Sequence, residues 1–245
     1  MSYTYAPAQS VLTPETTLGA IVAARPALAR VFEKLDLDYC CGGKQTLAAA
    51  CTRRGLDLAT TMALLDSAGA ALAAGPAEVD AAAMSLAQFT DHIETTHHAY
   101  LKAELPRLVE MADRVATKHG WRDARLANVA DGVRALAGEM LSHMQKEEIV
   151  LFPLVRQIEA GAAVTHCGGD LANPIRQMEA EHEAAGELTA QLRLLTDGFK
   201  PDADACNTHR ALLASLAEFE SDLHRHVHKE NNILFPRALA LAAGR

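Results

Sequence analysis

Apolar residues recur at steps of three and four along four long stretches of this chain, and histidine interrupts each stripe. One stretch reads Val129, Val133, Leu136, Met140, then His143, Glu147, Val150 and Leu154. The next reads Ile175, Met178, His182, Ala185, Leu192 and Leu195, and the last reads Leu212, Leu216, Phe219, Leu223, His226, Glu230 and Ile233. The earliest carries Leu86, Phe89, Ile93, Leu101, Leu105 and Leu108, with His97 and His98 in the middle. Such steps mark one face of a helix. Four amphipathic helices are therefore predicted, turning near Gly120-Trp121, Gly161-Ala162-Ala163 and the Asp197 to Asp204 stretch. Those turns hold the midpoints between His98 and His143, His143 and His182, and His182 and His226. In an up-down antiparallel bundle, residues equidistant from a turn share a height. Four imidazoles then meet at one level.

Two of these histidines carry a carboxylate one turn on, as His143-x-x-x-Glu147 and His226-x-x-x-Glu230. An uncompensated buried carboxylate costs on the order of several kcal/mol, and a bound cation removes that cost. Imidazole with carboxylate and no thiolate suits iron, manganese or zinc. Two glutamates among four histidines are enough to bridge two ions, a known use of bundle cores. Non-haem di-iron is the first expectation, with di-manganese and di-zinc behind it. On the first helix a 3.6-residue wheel puts His97 nearer the centre of the apolar face than His98. Turn symmetry barely separates them, and periodicity leaves the choice open. His119 lies about 30 Å along a continuous helix from His98. With Gly120 as a helix stop, it falls at a hairpin tip, outside the site. His92, His224 and His228 read as solvated or supporting residues, and His166 and His209 as loop residues without a role.

Composition adds the housing. The chain has 245 residues, 49 % hydrophobic and only 4 % aromatic, rich in the helix formers Ala and Leu. No sustained alternation of β-branched residues predicts a strand, so the fold class is all-α. The length suits one core plus a small second unit. A small helical domain over 1–74, a linker over 75–85 and a four-helix bundle over 86–245 are expected. Ser85 is placed to cap the first bundle helix, and Pro106 predicts a kink inside it. No apolar run approaches the ~20 residues of a membrane span, and no basic-then-apolar signal pattern opens the chain. The net charge of -8 offers no footprint for nucleic acid or an anionic membrane. Five cysteines, an odd count with a vicinal pair, point to a reducing cytoplasm.

That vicinal pair, Cys40-Cys41, is the second place for chemistry. It follows a helical stretch predicted over Ala20 to Leu35, and Gly42-Gly43 lets the backbone turn before a helix starting near Lys44. Thiols close to a helix N-terminus and a lysine are expected to have lowered pKa values, which makes them better nucleophiles and ligands. A buried pair of small residues is the plain alternative. Cys51, Cys167 and Cys206 have no assigned role.

The run Asp38-Tyr39-Cys40-Cys41-Gly42-Gly43-Lys44-Gln45-Thr46-Leu47 resembles the signature of the repair-of-iron-centres family. Ser142 to Glu148 followed by Leu151-Phe152-Pro153, Glu179 to Glu183, and His226 to Arg237 match it too. The resemblance spans about Thr17 to Ala240. It implies a haemerythrin-like bundle holding two iron ions, carboxylate- and oxo-bridged, that helps restore iron-sulfur clusters damaged by nitric oxide or oxidants. Residue by residue, it selects His98 over His97, with His143, His182 and His226 as the other imidazoles and Glu147 and Glu230 as bridges. It also implies that Cys40 and Cys41 matter for repair. Damaged iron-sulfur proteins are the implied partners, with nitric oxide or dioxygen as a small ligand; a homodimer is compatible with the sequence.

Haemerythrins usually carry two histidines one turn apart on the third helix. Here the neighbours of His182 at that spacing are Met178 and Gly186, which leaves a coordination position open and favours reactivity or iron release. A non-enzymatic iron-handling repair protein is the first expectation. A di-iron nitric oxide or peroxide reductase is the second, and a haemerythrin-type oxygen carrier or sensor the third.

Overall fold

A computed structural model describes residues 12–72, 81, 83–161 and 171–244. Among them the chain is helical, and the only β-type pairing is an isolated antiparallel bridge between Thr17 and Thr46. Most of the expected linker lies outside the described residues, as do His166 and Cys167. The helices are α1 (Leu18–Ala24), α2 (Ala29–Lys34), α3 (Leu47–Arg54), α4 (Leu58–Leu72), α5 (Leu86–Ile93), α6 (Ala99–His119), α7 (Arg125–Lys146), α8 (Phe152–Glu159), α9 (Ala172–Leu195), α10 (Asn207–Lys229) and α11 (Phe235–Ala243). Three π-helical turns join consecutive helices without a break: Glu94–His98, Glu147–Leu151 and Glu230–Leu234. The chain divides into two compact units, 1–89 with 224–245, and 90–223.

In the first unit, Leu18, Ile21, Phe32, Leu37, Leu47 and Leu65 belong to one buried cluster. The helix predicted over Ala20 to Leu35 is in fact two. Pro26 forces Arg25 out of helical geometry (φ -139°, ψ 73°) and opens a short 3₁₀ turn before α2. The following helix begins at Leu47, not near Lys44, because Thr46 is its cap: the Thr46 hydroxyl accepts from the Ala49 N–H at 3.2 Å. Thr17 does the same for α1 through Ala20. Gly55, at φ 68°, closes α3 in the left-handed conformation that glycine adopts freely. Ser85 caps α5 as expected, and does so reciprocally. The Gln88 N–H donates to Ser85 Oγ at 3.1 Å, and the Ser85 N–H donates to Gln88 Oε1 at 3.0 Å.

The second unit contains the body of the bundle. α6 packs along α7, and α7 along α9. Arg107 on α6 donates to Ser215 Oγ on α10 at 2.6 Å, and Arg193 on α9 forms an ion pair with Glu220 on α10. Buried positions on α9 fall at Ile175, Met178, His182, Ala185, Thr189 and Leu192, steps of three and four that keep one face inward. Pro106 lies within the unbroken α6, and the helical irregularity falls upstream at Glu94–His98.

Each π turn adds one residue to its helical turn and moves the buried face by one position. Leu151 is 1 % exposed where Val150, on the sequence stripe, is 41 % exposed. In the same way Leu234, not Ile233, reaches the core.

Candidate metal centre

The first π turn settles where the two adjacent histidines go. Both are buried, but they face different partners. His97 Nδ1 lies 3.0 Å from Asp222 Oδ1. His98 stacks on Phe152 with centroids 5.6 Å apart, and its Nε2 lies 3.4 Å from Glu147 Oε2. Glu147 opens the second π turn, and its Oε2 is also 3.3 Å from His143 Nε2. His182 comes from α9, with its Nε2 3.0 Å from His143 Nε2. The structure thus brings His98, His143, Glu147 and His182 together inside one buried unit. In the other unit, His226 Nε2 lies 3.0 Å from Glu230 Oε1, both fully buried.

These spacings test whether the residues suit a metal. Donor atoms held at about 2.1 Å from one ion, at octahedral or tetrahedral angles, lie roughly 3.0–3.4 Å apart. His143, Glu147 and His182 offer donor atoms all within 4.8 Å of one another. The facing Nε2 atoms of His143 and His182 sit at the octahedral end of that range. The donor set fits.

The outer nitrogens strengthen the fit. His143 Nδ1–H donates to Glu181 Oε2 at 3.0 Å, and Glu181 is also bonded by Lys146 and by Gln177. His98 Nδ1–H donates to Glu148 Oε1 at 2.8 Å, with Lys102 Nζ on the same carboxylate at 2.6 Å. Each carboxylate fixes the tautomer that turns an Nε2 lone pair inward, the usual outer support of metal-bound histidine. Burial alone would raise the Glu181 pKa, but its bonds from Lys146, Gln177 and His143 outweigh this and bring it down to about 2. Burial likewise opposes, and the Lys102 and His98 bonds outweigh, in lowering Glu148. Both carboxylates are charged at neutral pH. Sequence reading missed this outer layer, although Glu148 and Glu181 directly neighbour the candidate ligands.

His119 is elsewhere, lining a cavity of about 310 Å³ with Asp123, Asp202 and His209. On α9, Met178 is buried on the same face as His182.

The thiol loop has its own architecture. Asp38 Oδ1 accepts from the N–H groups of Cys40 and Cys41 at 3.1 and 3.0 Å, and from the Cys40 thiol at 3.2 Å. The Cys40 pKa is not lowered, as expected from the sequence, but raised. The hydrogen bond to Cys41 contributes most, followed by burial and the negative charge of its neighbours. Cys40 is buried and Cys41 exposed. Residues on either side of Glu230 hold this loop from behind. Asn232 Nδ2 donates to the Cys40 carbonyl at 3.0 Å and lies 3.3 Å from the Tyr39 carbonyl. His228 is not solvated: it packs edge-on against the Tyr39 ring, and its Nδ1–H meets the Tyr39 carbonyl at 3.3 Å. Burial pushes its pKa down to about 4, so the ring is neutral at neutral pH.

Two family models match different parts of the chain. The model of the haemerythrin HHE cation binding domain matches residues 90–238. A domain of unknown function, DUF542, matches residues 14–69. The chain is 39 % identical over 223 residues to the iron-sulfur cluster repair protein YtfE of Enterobacter sp. (strain 638), covering 91 % of this chain and 96 % of that one. It is 40 % identical to the protein of the same name from Cronobacter sakazakii and 38 % to that of Escherichia coli O157:H7, at the same coverage.

Proposed function

Because this chain belongs to the haemerythrin HHE cation-binding family, we propose that it binds two iron ions and repairs damaged iron-sulfur clusters. His98, His143, His182 and His226 would supply nitrogen to the ions, and Glu147 and Glu230 carboxylate oxygen. The region matched to the family, 90–238, takes in all six. The observation that carries the reading is the inward convergence of His143, Glu147 and His182, with the outer nitrogen of His143 tied to a charged carboxylate. The names of the relatives supply the direction, cluster repair. The domain over 1–74 carries the thiols, and damaged cytoplasmic iron-sulfur proteins are the clients.

Bound iron supplies redox activity and exchangeable coordination. The protein's residues do the rest. Glu181 and Glu148 orient His143 and His98 by holding their outer nitrogens, so that Nε2 of each ring faces the other donors. The surrounding apolar stripe excludes bulk water and makes the two carboxylates dependent on a cation. With Met178 and Gly186 flanking His182, α9 offers one imidazole where an oxygen carrier would use two. This favours an exchangeable position, open to nitric oxide or dioxygen, over stable oxygen storage.

The test is anaerobic incubation of the iron-loaded protein with an apo iron-sulfur protein, in the presence and absence of an external chelator. Cluster recovery that the chelator does not block is expected and means direct hand-over. Retention of both irons with no recovery overturns repair by iron supply. The same open position would then favour reduction of nitric oxide or peroxide, measured as turnover with an electron donor.

A further inference from the structure

Three donor atoms converge on the loop that follows α2, within the first unit. Asp38 Oδ1 lies 3.2 Å from Cys40 Sγ, and Cys40 Sγ lies 4.0 Å from Cys41 Sγ. The three residues offer ligand atoms all within 4.8 Å of one another. Two thiolates sharing one tetrahedral ion at about 2.3 Å lie roughly 3.8 Å apart, and a thiolate and a carboxylate oxygen on that ion roughly 3.5 Å apart. The loop therefore holds its donors within a few tenths of an ångström of ligating positions. We infer that Asp38, Cys40 and Cys41 form a second metal site, separate from the histidine and glutamate donors, that takes a single thiophilic divalent cation of the zinc or ferrous iron class.

Turn formation alone does not account for this arrangement. A carboxylate that accepts two backbone N–H groups requires Asp38 and nothing of the side chains at 40 and 41. The loop is also built around the carboxylate. A Cβ on Gly42 would lie 3.0 Å from Asp38 Oδ2 and 2.9 Å from the Asp38 carbonyl oxygen, so the missing side chain makes room for the acid to fold back. Behind the thiols, the Asn232 amide holds the Cys40 carbonyl, and a Cβ on Gly43 would lie 2.2 Å from Asn232 Oδ1. The donors are thus placed by a backbone that is fixed on its far side, which lowers the entropy cost of binding. Cys41 is exposed, so the fourth position of a tetrahedral ion faces water or a ligand from another molecule. Three protein ligands with one open position is the pattern of a site that exchanges or reacts, not of a closed structural one.

Two thiolates and one carboxylate suit zinc, ferrous iron and cobalt and disfavour magnesium and calcium. The site would bind its ion whether or not the chain repairs clusters, so the two readings fail separately. Anaerobic titration of the iron-loaded full-length protein with Co(II) tests it, because thiolate-to-cobalt charge transfer is absent from histidine and carboxylate ligation. The absorption is expected to rise to a plateau at one cobalt per chain. Cys40→Ser and Cys41→Ser should each abolish the plateau, and Cys206→Ser should leave it unchanged. Asp38→Asn keeps an oxygen to accept the two N–H groups, so the turn survives, yet removes the charged ligand. It should weaken cobalt binding at least tenfold. No charge-transfer band in the wild-type protein overturns the site. An unchanged affinity in Asp38→Asn overturns the three-ligand assignment.

Discussion

The bundle centre and the thiol loop solve the same problem, holding several ligand atoms at short range, by opposite means. In the bundle the donors come from helices far apart in sequence, are buried, and are braced by outer carboxylates. His143 is tied to Glu181, and His98 to Glu148, 38 and 50 residues away. In the loop the donors lie within four consecutive residues, one thiol is exposed, and the bracing grips backbone carbonyls from behind. A buried site assembled from distant elements must be paid for in desolvation and therefore needs its cation. A local, half-exposed site carries no such cost and tolerates being empty. The bundle centre depends on an occupant for its charge balance, and the loop does not.

The largest effect should come from breaking the buried side of that contrast. Glu147→Leu is expected to lower bound iron from two per chain to below one, measured by elemental analysis after gel filtration. The metal-free variant should melt at the same temperature as the metal-free wild type or higher, since an apolar residue replaces a buried charge. A variant that still holds two irons would remove Glu147 from the site. His119→Leu, at the separate cavity, should keep both.

One step down lies the outer layer. Glu181→Gln leaves an oxygen for His143 Nδ1–H but loses the charge that pairs with Lys146. Loss of such support typically lowers metal affinity by about 10–100-fold. Competition with a chelator should show that drop with the donor atoms themselves untouched. Equal affinities for variant and wild type would mean that the charge of Glu181 does not support the site.

The legible part of this molecule was its periodicity; the illegible part was where that periodicity is interrupted. Steps of three and four located all four bundle helices and put histidine in each core stripe. The same wheel misplaced one residue after another at similar points: Val150 for Leu151 and Ile233 for Leu234. It also ranked His97 above His98, and both prove buried, against different partners. One cause covers all three. A wheel assumes an uninterrupted 3.6-residue turn, and each of these segments contains a π turn that begins or ends on a candidate ligand. Nothing in propensity marks such a turn. The thiol loop was misjudged for a different reason. Nearness to a helix N-terminus and to Lys44 argues for a lowered thiol pKa, but Asp38 folds back onto Cys40, and that contact depends on a chain reversal with no periodic signature.

The smallest effect tests what braces the loop, and its sign is the informative quantity. Gly19 occupies the first turn of α1, where alanine would gain about 0.5–1 kcal/mol over glycine from helix propensity alone. Its Cβ, however, would lie 2.2 Å from Asn232 Oδ1 and 2.6 Å from Asn232 Cγ. Forcing a group into such a packed position costs about 1–3 kcal/mol, so Gly19→Ala should be net destabilising in the wild-type background by denaturant unfolding. The nearest backbone atom, the Gly43 carbonyl oxygen, is 3.1 Å away, a contact that small shifts accommodate. Removing the amide therefore removes most of the clash. In an Asn232→Ala background Gly19→Ala should become neutral or stabilising, and the two substitutions should couple strongly in a double-mutant cycle. Additive effects would mean that Asn232 does not occupy this glycine-lined cradle, and the loop would lose the brace that distinguishes it from an ordinary surface turn.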